Sequence, residues 1–461
     1  MRHHRLLAAL LIVLCTVPLA FAQSDAPPET TPETPPNTPP AVAPAEEAPQ
    51  TEADRGYEKL LSRFMILRDS LESPTGITEA QRPAVERVLH AAEAFSERHP
   101  EHVGALAMQI QLSKWLGAEP QRMTELYRRL LELRPNDVEV ALLWAREQEQ
   151  VGDLDPDGVL ALYRDLCERF PDDATACRAY AEHLREELRY DDAVDVVRRF
   201  DPDPAEAPGL VYVLADCLFA NDHFEEALTA LESIPDGEVQ DLELRRAIDR
   251  DGKYFADYID LWREEQELRA AEAEADDLPR ATIDTARGRI VVELFEDQAP
   301  NTVANFISLA ESGFYAQTTF HRFVPNFMIQ GGDPNTKPGA TGTPGMGNPG
   351  YYIPDEHTRE DHRNHFRDSL AMAKQLQPNT AGCQFYLTHR PTPWLNGRHT
   401  VFGRVIEGLD VVRSLRQGDE ITGITVLRKR DHPYEPETLP LTPPAPPTPE
   451  RLPFTDQPPG G

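Results

Sequence analysis

Two hydrophobic patterns divide the chain near residue 278. From about Gly56 to Asp277, apolar residues recur three and four positions apart, which is the spacing of one helix face. The pattern itself repeats. E-L-Y-R-R-L-L-E-L-R-P closes at Pro135 and A-L-Y-R-D-L-C-E-R-F-P at Pro171; similar endings fall at Pro100, Pro202 and Pro235, giving spacings of 35, 36, 31 and 33 residues. Five and eight positions before each proline the residue is apolar: Phe95 and Ala92, Leu130 and Tyr127, Leu166 and Tyr163, Val197 and Val194, Ala230 and Ala227. Residues three apart share a face, so each segment offers one stripe to a neighbour, and the proline ends the helix. A last stretch with Tyr254, Phe255, Tyr258, Leu261 and Trp262 is expected to cap the stack. Beyond Leu278-Pro279 the period changes to two: A-T-I-D-T, a turn at Ala286-Arg287-Gly288, then R-I-V-V-E-L-F. Further strands are expected around 327–330, 369–373, 384–388 and 401–405. Helices are expected at Asn301–Ser312, with Asn301 as its cap, and at Leu409–Arg416. Many strands with two helices predict a closed barrel capped at its ends.

A period near 34 with two helices per unit resembles tetratricopeptide repeats, although that family's Trp, Gly and Tyr signature is irregular here. The chain is therefore read as multidomain: an all-α helical-hairpin solenoid over 56–277, then a mainly-β barrel over 280–431.

Composition places the remaining segments. A basic start at Arg2 to Arg5, an apolar run from Leu6 to Leu19 and the small residues of Ala20-Phe21-Ala22 predict an export signal over 1–22, too short to span a membrane. Cys15 does not mark a lipoprotein, because Leu14 is bulky where a small residue is needed. Residues 23–55, rich in Pro, Thr and Glu, read as a disordered linker, and 432–461 as a disordered Pro-rich tail. The expected product is exported, periplasmic or extracellular, with no membrane span in the mature chain. Formal net charge is −32, yet 280–431 holds 17 basic and 16 acidic side chains, so the acidity lies almost wholly upstream. Such a balance argues against nucleic acid and anionic membranes as partners. Four cysteines remain after Cys15, without a C-x-x-C pair. The sequence leaves open whether Cys167 and Cys177 meet across a helix turn in an oxidising compartment; the favoured reading of these residues is small buried apolar groups.

The chemistry-bearing residues lie in three segments: F-H-R-F-V-P-N-F-M-I-Q-G-G-D (Phe320–Asp333), P-N-T-A-G-C-Q-F-Y-L-T (Pro378–Thr388) and W-L-N-G-R-H-T-V-F-G (Trp394–Gly403). In order and spacing they resemble the signature of cyclophilin-type peptidyl-prolyl cis-trans isomerases. The resemblance implies an eight-stranded barrel that isomerises Xaa-Pro bonds in protein clients without metal or cofactor. It implies Arg322, Gln330 and His399 as catalytic residues. Phe327, Met328, Ala373, Gln384, Tyr386, Trp394 and Leu395 are the implied substrate contacts, with Trp394 and His399 at the rim. Tyr386 stands where the family usually has Phe, placing a hydroxyl at the socket edge; Lys374 replaces the usual Asn. Leu376 looks like one extra residue before Pro378, and 334–352 is rich in Gly and Pro. The acidic and histidine residues from Asp355 to His365 lack fixed ligand spacing and read as a solvated loop rather than a metal site. Cys383 reads as core. The helical repeats are read as a surface for clients or a protein partner.

Overall fold

A computed structural model describes residues 51–71, 77–237 and 239–441. The expected signal segment, most of the linker and the end of the tail lie outside the described residues. The described residues form two compact units, divided between Leu166 and Cys167.

The first unit holds α1 (Glu52–Asp69), α2 (Arg82–Arg98), α3 (Val103–Leu116), α4 (Pro120–Leu133), α5 (Val138–Val151) and most of α6 (Pro156–Arg169). From α1 to α5 each helix packs against the next. Three of them end one residue before the position preceding the predicted prolines at 100, 135 and 171, since the residue before proline is driven out of the helical region. Starts are set by side chains that accept orphan amides: Thr51 from Asp54, and Asp137 from Val140. Gly117 and Gly152 adopt positive φ at the ends of α3 and α5. The stripe residues are buried as expected, and Phe64 stacks on Trp115 with ring centroids 5.6 Å apart. Each such large side chain contributes about 1.5–3 kcal/mol on burial.

The second unit opens with α7 (Ala174–Glu186), α8 (Tyr190–Phe200), α9 (Pro208–Ala220) and α10 (Phe224–Glu232), followed by the 34-residue α11 (Leu242–Ala275). Cys167 and Cys177 form a disulfide, while Cys217 and Cys383 are buried thiols. Stripe positions Val194, Val197 and Ala227 are buried; Ala230 is half-buried.

Nine antiparallel strands follow: β1 (Arg280–Thr285), β2 (Gly288–Leu294), β3 (Thr318–Thr319), β4 (Arg322–Val324), β5 (Met328–Gly331), β6 (Ser369–Met372), β7 (Phe385–Thr388), β8 (Val401–Glu407) and β9 (Glu420–Arg428). Their order is β3-β9-β1-β2-β8-β6-β7-β5-β4. The two outermost strands are separated in sequence only by Phe320 and His321. The segment pairs with β9 on one side and β5 on the other, with the Phe320 amide on the Asp419 carbonyl and the His321 amide on that of Gln330. One bent segment thus closes the sheet and counts as two strands, which accounts for nine strands rather than eight. Helix α12 (Pro300–Glu311) packs against β9 and α13 (Leu409–Ser414) against β2. The interior is aromatic: Phe306 contacts Tyr315, Phe385 and Phe402 with centroids 5.3–5.7 Å apart.

Three expectations are corrected. Asn301 does not cap α12. Ala299 occupies the cap position, and the amides of Asn301 and Thr302 donate to the Glu356 carboxylate at 2.9 and 2.8 Å. The Asp355–His365 loop is accordingly not solvated throughout. Glu356 and His365 are buried, and Asp355 accepts from the Asn379 amide and from Lys374. The tail also begins folded: Leu439 bridges to Tyr352, and the Tyr434 hydroxyl donates to Glu296 at 2.8 Å.

Helix α11 does more than cap the helices before it. Its Glu265 takes a bidentate pair from buried Arg363 at 2.7 and 2.9 Å, and Glu272 also pairs with Arg363. Trp262 and Tyr258 pack on Phe366 with ring centroids 5.1 and 5.4 Å apart.

Candidate active site

Alternation along the strands sorts the barrel's two faces. Ile329, Leu370, Phe385 and Leu387 point into the core. Their neighbours point outward, and the register lines them up: Arg322 faces Gln330, Gln330 faces Tyr386, and Tyr386 faces Ala371. Directly paired residues share a face. Four strands therefore carry one row, Arg322–Gln330–Tyr386–Ala371, across the outside of the barrel. Met328, two residues from Gln330, falls on the same side.

Around that row lies a small apolar cluster, separate from the barrel core. Met328, Ala371, Tyr386 and Val401 are buried in it, and Phe327, Ala373 and Leu395 pack half-buried against it. Trp394, 41% exposed, tilts against Phe327 with centroids 5.5 Å apart. The result is a shallow apolar socket with an indole at its rim.

The polar groups are arranged with direction. Gln330 Nε2 donates to Gln384 Oε1 at 2.9 Å, so Gln330 Oε1 points elsewhere and accepts nothing among the described residues. Gln384 in turn donates to the carbonyls of Gly345 and Gly347 at 3.0 and 2.9 Å and to Asp333 at 3.2 Å. Asp333 also accepts from the Gly345 and Gly347 amides, the latter at 3.1 Å, so the Gly/Pro-rich loop is folded onto the site. The preceding Gly332 has φ +81°, and a Cβ there would sit 2.8 Å from the Cys383 carbonyl, which excludes other residues.

Arg322 is exposed and makes no hydrogen bond or ion pair among the described residues. A guanidinium keeps its proton, so this is a permanent donor standing beside an apolar socket. His399 Nδ1 donates to the Met372 carbonyl at 3.1 Å, which leaves Nε2 as an acceptor. Burial, the largest influence, holds its pKa below the usual histidine range, with the Met372 bond opposing, so the ring stays neutral.

Tyr386 departs from expectation. Its hydroxyl does not edge the socket but turns inward to His365 Nε2 at 2.8 Å. Lys374 likewise turns away, to Asp355 Oδ2 at 3.1 Å. Leu376, the extra residue, is fully exposed. All ten candidate residues lie on this face and in its border. Sequence reasoning did not single out Asp333 or Asn396, although both fall inside the quoted motifs, and it placed His365 in a solvated loop, whereas the residue is buried behind Tyr386. Among the described residues no group of three or more acidic, histidine or cysteine side chains is placed to hold a metal ion.

A family model for cyclophilin type peptidyl-prolyl cis-trans isomerase/CLD matches residues 280–434. A peptidyl-prolyl cis-trans isomerase of Synechococcus elongatus is 44% identical over 152 residues, covering 32% of this chain and 97% of that protein. The isomerase ppi1 of Schizosaccharomyces pombe is 40% identical over 156 residues, 33% of this chain and 91% of its own. Among solved structures, a cyclophilin type isomerase of Cryptosporidium parvum matches at 30% identity over 33% of this chain and 99% of that one, with a TM-score of 0.29.

Proposed function

Because the chain belongs to the cyclophilin-type peptidyl-prolyl cis-trans isomerase family, we propose that it is an exported foldase that accelerates Xaa-Pro rotation in protein clients. Amide resonance sets a barrier of roughly 18–20 kcal/mol, and unaided Xaa-Pro exchange takes on the order of tens to hundreds of seconds. No bond is broken, so no nucleophile is needed. When the amide twists, the prolyl nitrogen regains its lone pair and accepts a hydrogen bond that neither planar isomer accepts. A donor placed there stabilises the twisted state selectively.

The observation that carries this reading is the cross-strand placement of Arg322 opposite Gln330, at the edge of the apolar socket. The proline ring fits among Phe327, Met328 and Leu395. Arg322 donates to the prolyl nitrogen, and the unused Gln330 oxygen orients the guanidinium. His399 and Trp394 bound the rim, and Ala373 and Gln384 line the path of the flanking peptide.

Export rests on the N-terminal signal pattern. The Cys167–Cys177 disulfide supports it, since such bonds persist in oxidising compartments. The helical hairpins serve as the client or partner surface.

The test is a protease-coupled isomerisation assay on the full chain with a short Xaa-Pro peptide. Arg322→Ala lowers kcat about tenfold or more with an unchanged circular dichroism spectrum. Equal turnover by the folded variant removes Arg322 from the chemistry. Peptide binding by the wild type without turnover makes the domain a proline-binding module instead.

A further inference from the structure

The socket floor is wired to the helices that precede the barrel. Tyr386 donates its hydroxyl to His365 Nε2 at 2.8 Å. That direction follows from the other side of the ring, where Nδ1 lies 3.0 Å from Asn396 Oδ1. Asn396 is oriented by two further bonds: its Oδ1 accepts from the His365 amide at 2.9 Å, and its Nδ2 donates to the Tyr258 hydroxyl at 3.0 Å. With Oδ1 an acceptor, His365 must carry its proton on Nδ1 and present a lone pair at Nε2. The Tyr258 hydroxyl completes the set by donating to the His365 carbonyl at 2.9 Å. Every donor in the relay has one acceptor, and only one assignment of protons satisfies all of them.

Tyr258 belongs to α11, while His365, Asn396 and Tyr386 belong to the barrel. His365 is fully buried, and burial holds its pKa down to about 3, so the ring stays neutral and the relay keeps one polarity through the physiological range. Asn396 directly follows Leu395 of the socket. A second tie reaches the opposite wall: Tyr190 of α8 donates to Asn326 Oδ1 at 3.0 Å. Asn326 sits at φ 53° immediately before Phe327.

We propose that Tyr258 of α11 is a positioning residue for proline binding, acting through Asn396 and His365 on Tyr386 and so on the shape of the socket. It touches no substrate; it fixes the ring that does. This rests on the isomerase reading of the site and extends it, because it makes a helix of the repeat half part of the enzyme's specificity. Socket shape governs how the proline ring is held in planar and twisted forms alike. Its loss therefore acts on uniform binding and appears in KM, whereas loss of Arg322 appears in kcat.

The test uses the full chain. Tyr258→Phe keeps the ring packed against Phe219, Phe224 and Phe366 and removes only the hydroxyl. KM for a Xaa-Pro peptide rises about five- to tenfold with kcat little changed. In a Tyr386→Phe background, where the socket end of the relay is already cut, the same substitution raises KM far less, the non-additivity of residues in one network. Leu130→Ala, a cavity variant in α4 of the first unit that lowers thermal stability, leaves KM unchanged. The inference is overturned if Tyr258→Phe leaves KM alone, if its effect is equally large in both backgrounds, or if Leu130→Ala reproduces it. An active wild type that loses turnover with Arg322→Ala while Tyr258→Phe behaves as wild type sinks this inference and leaves the isomerase reading standing.

Discussion

Helices of the first unit and those of the second carry the same sequence pattern and share exposed ion pairs, such as Arg198 of α8 with Glu226 of α10 in the second, but the second unit adds buried ones. In the first unit the ion pair between α2 and α4, Glu93 with Arg122, joins side chains 34% and 46% exposed, on a surface already shaped by apolar stripes. In the second unit Asp216 of α9 lies buried and receives three guanidinium bonds: two from Arg390 at 2.6 and 3.0 Å and one from Arg185 at 3.2 Å. Glu265 of α11 holds Arg363 in the same buried manner. The first arrangement is what a repeat needs only to stack on its neighbour. The second joins helices to a barrel, and it trades general adhesion for one fixed geometry. Breaking a buried pair by removing one partner leaves an uncompensated charge, whereas a surface pair is screened by water.

The largest expected effect is at Asp216. Burial alone would raise its carboxyl, but Arg390 and Arg185 outweigh this and hold it below the usual carboxylate range. Asp216→Asn keeps the volume and strands both guanidinium groups. Unfolding free energy falls by about 3–5 kcal/mol, read by urea titration of the full chain. Since Arg390 also reaches Asn326 at 3.4 Å, beside Phe327, turnover falls as well. A loss below about 1 kcal/mol would mean that the pair is no more consequential than a surface one.

A second effect has the opposite pH sign. Burial, aided by Asp368 and opposed by Arg367, pushes the Asp222 carboxyl up to about 7. Asp368 is likewise pushed up to about 6, chiefly by burial. Each pKa is higher folded than unfolded, so between the two values the folded state binds the extra proton. The stabilisation is complete below the unfolded value and is lost as pH rises through about 6 to about 7. Thermal stability therefore falls between pH 5 and pH 8, by about 3 kcal/mol for Asp222 alone. Asp222→Asn flattens that slope. An unchanged slope assigns the dependence to other groups.

How much of this was legible follows from sequence distance. The helix stripes were readable because residues three apart meet on one face, and the barrel strands because alternation survives in 280–294 and 384–388. The candidate residues were readable as a set because all but Ala373 sit in three motifs, and the register and the apolar cluster bring them to one face. Contacts without local pattern were not. Glu356 reaches the amides of α12 across 54 and 55 residues, so Asn301 looked like the cap. Asp216 meets Arg390 across 174. The Tyr386 hydroxyl could be placed only once His365 was known to lie behind it, and the disulfide only once α6 and α7 were seen to bring their cysteines together.

The smallest effect sharpens the comparison from the other side. Arg122 bonds Glu93 between α4 and α2, an ion pair joining two helices as the buried pairs do. Both side chains keep much of their water, so forming the pair gains little Coulomb energy over the solvated ions and costs rotamer freedom of two long chains. Arg122→Ala then lowers the unfolding free energy of the full chain by less than about 1 kcal/mol, and the difference shrinks further in high salt because exposed charges are screened within about 3 Å at 1 M ionic strength. Turnover of a short Xaa-Pro peptide stays at the wild-type level. A loss as large as that of Asp216→Asn, insensitive to salt, would show that burial does not separate the two sets of helices and that charge pairs of the first unit are equally part of its architecture.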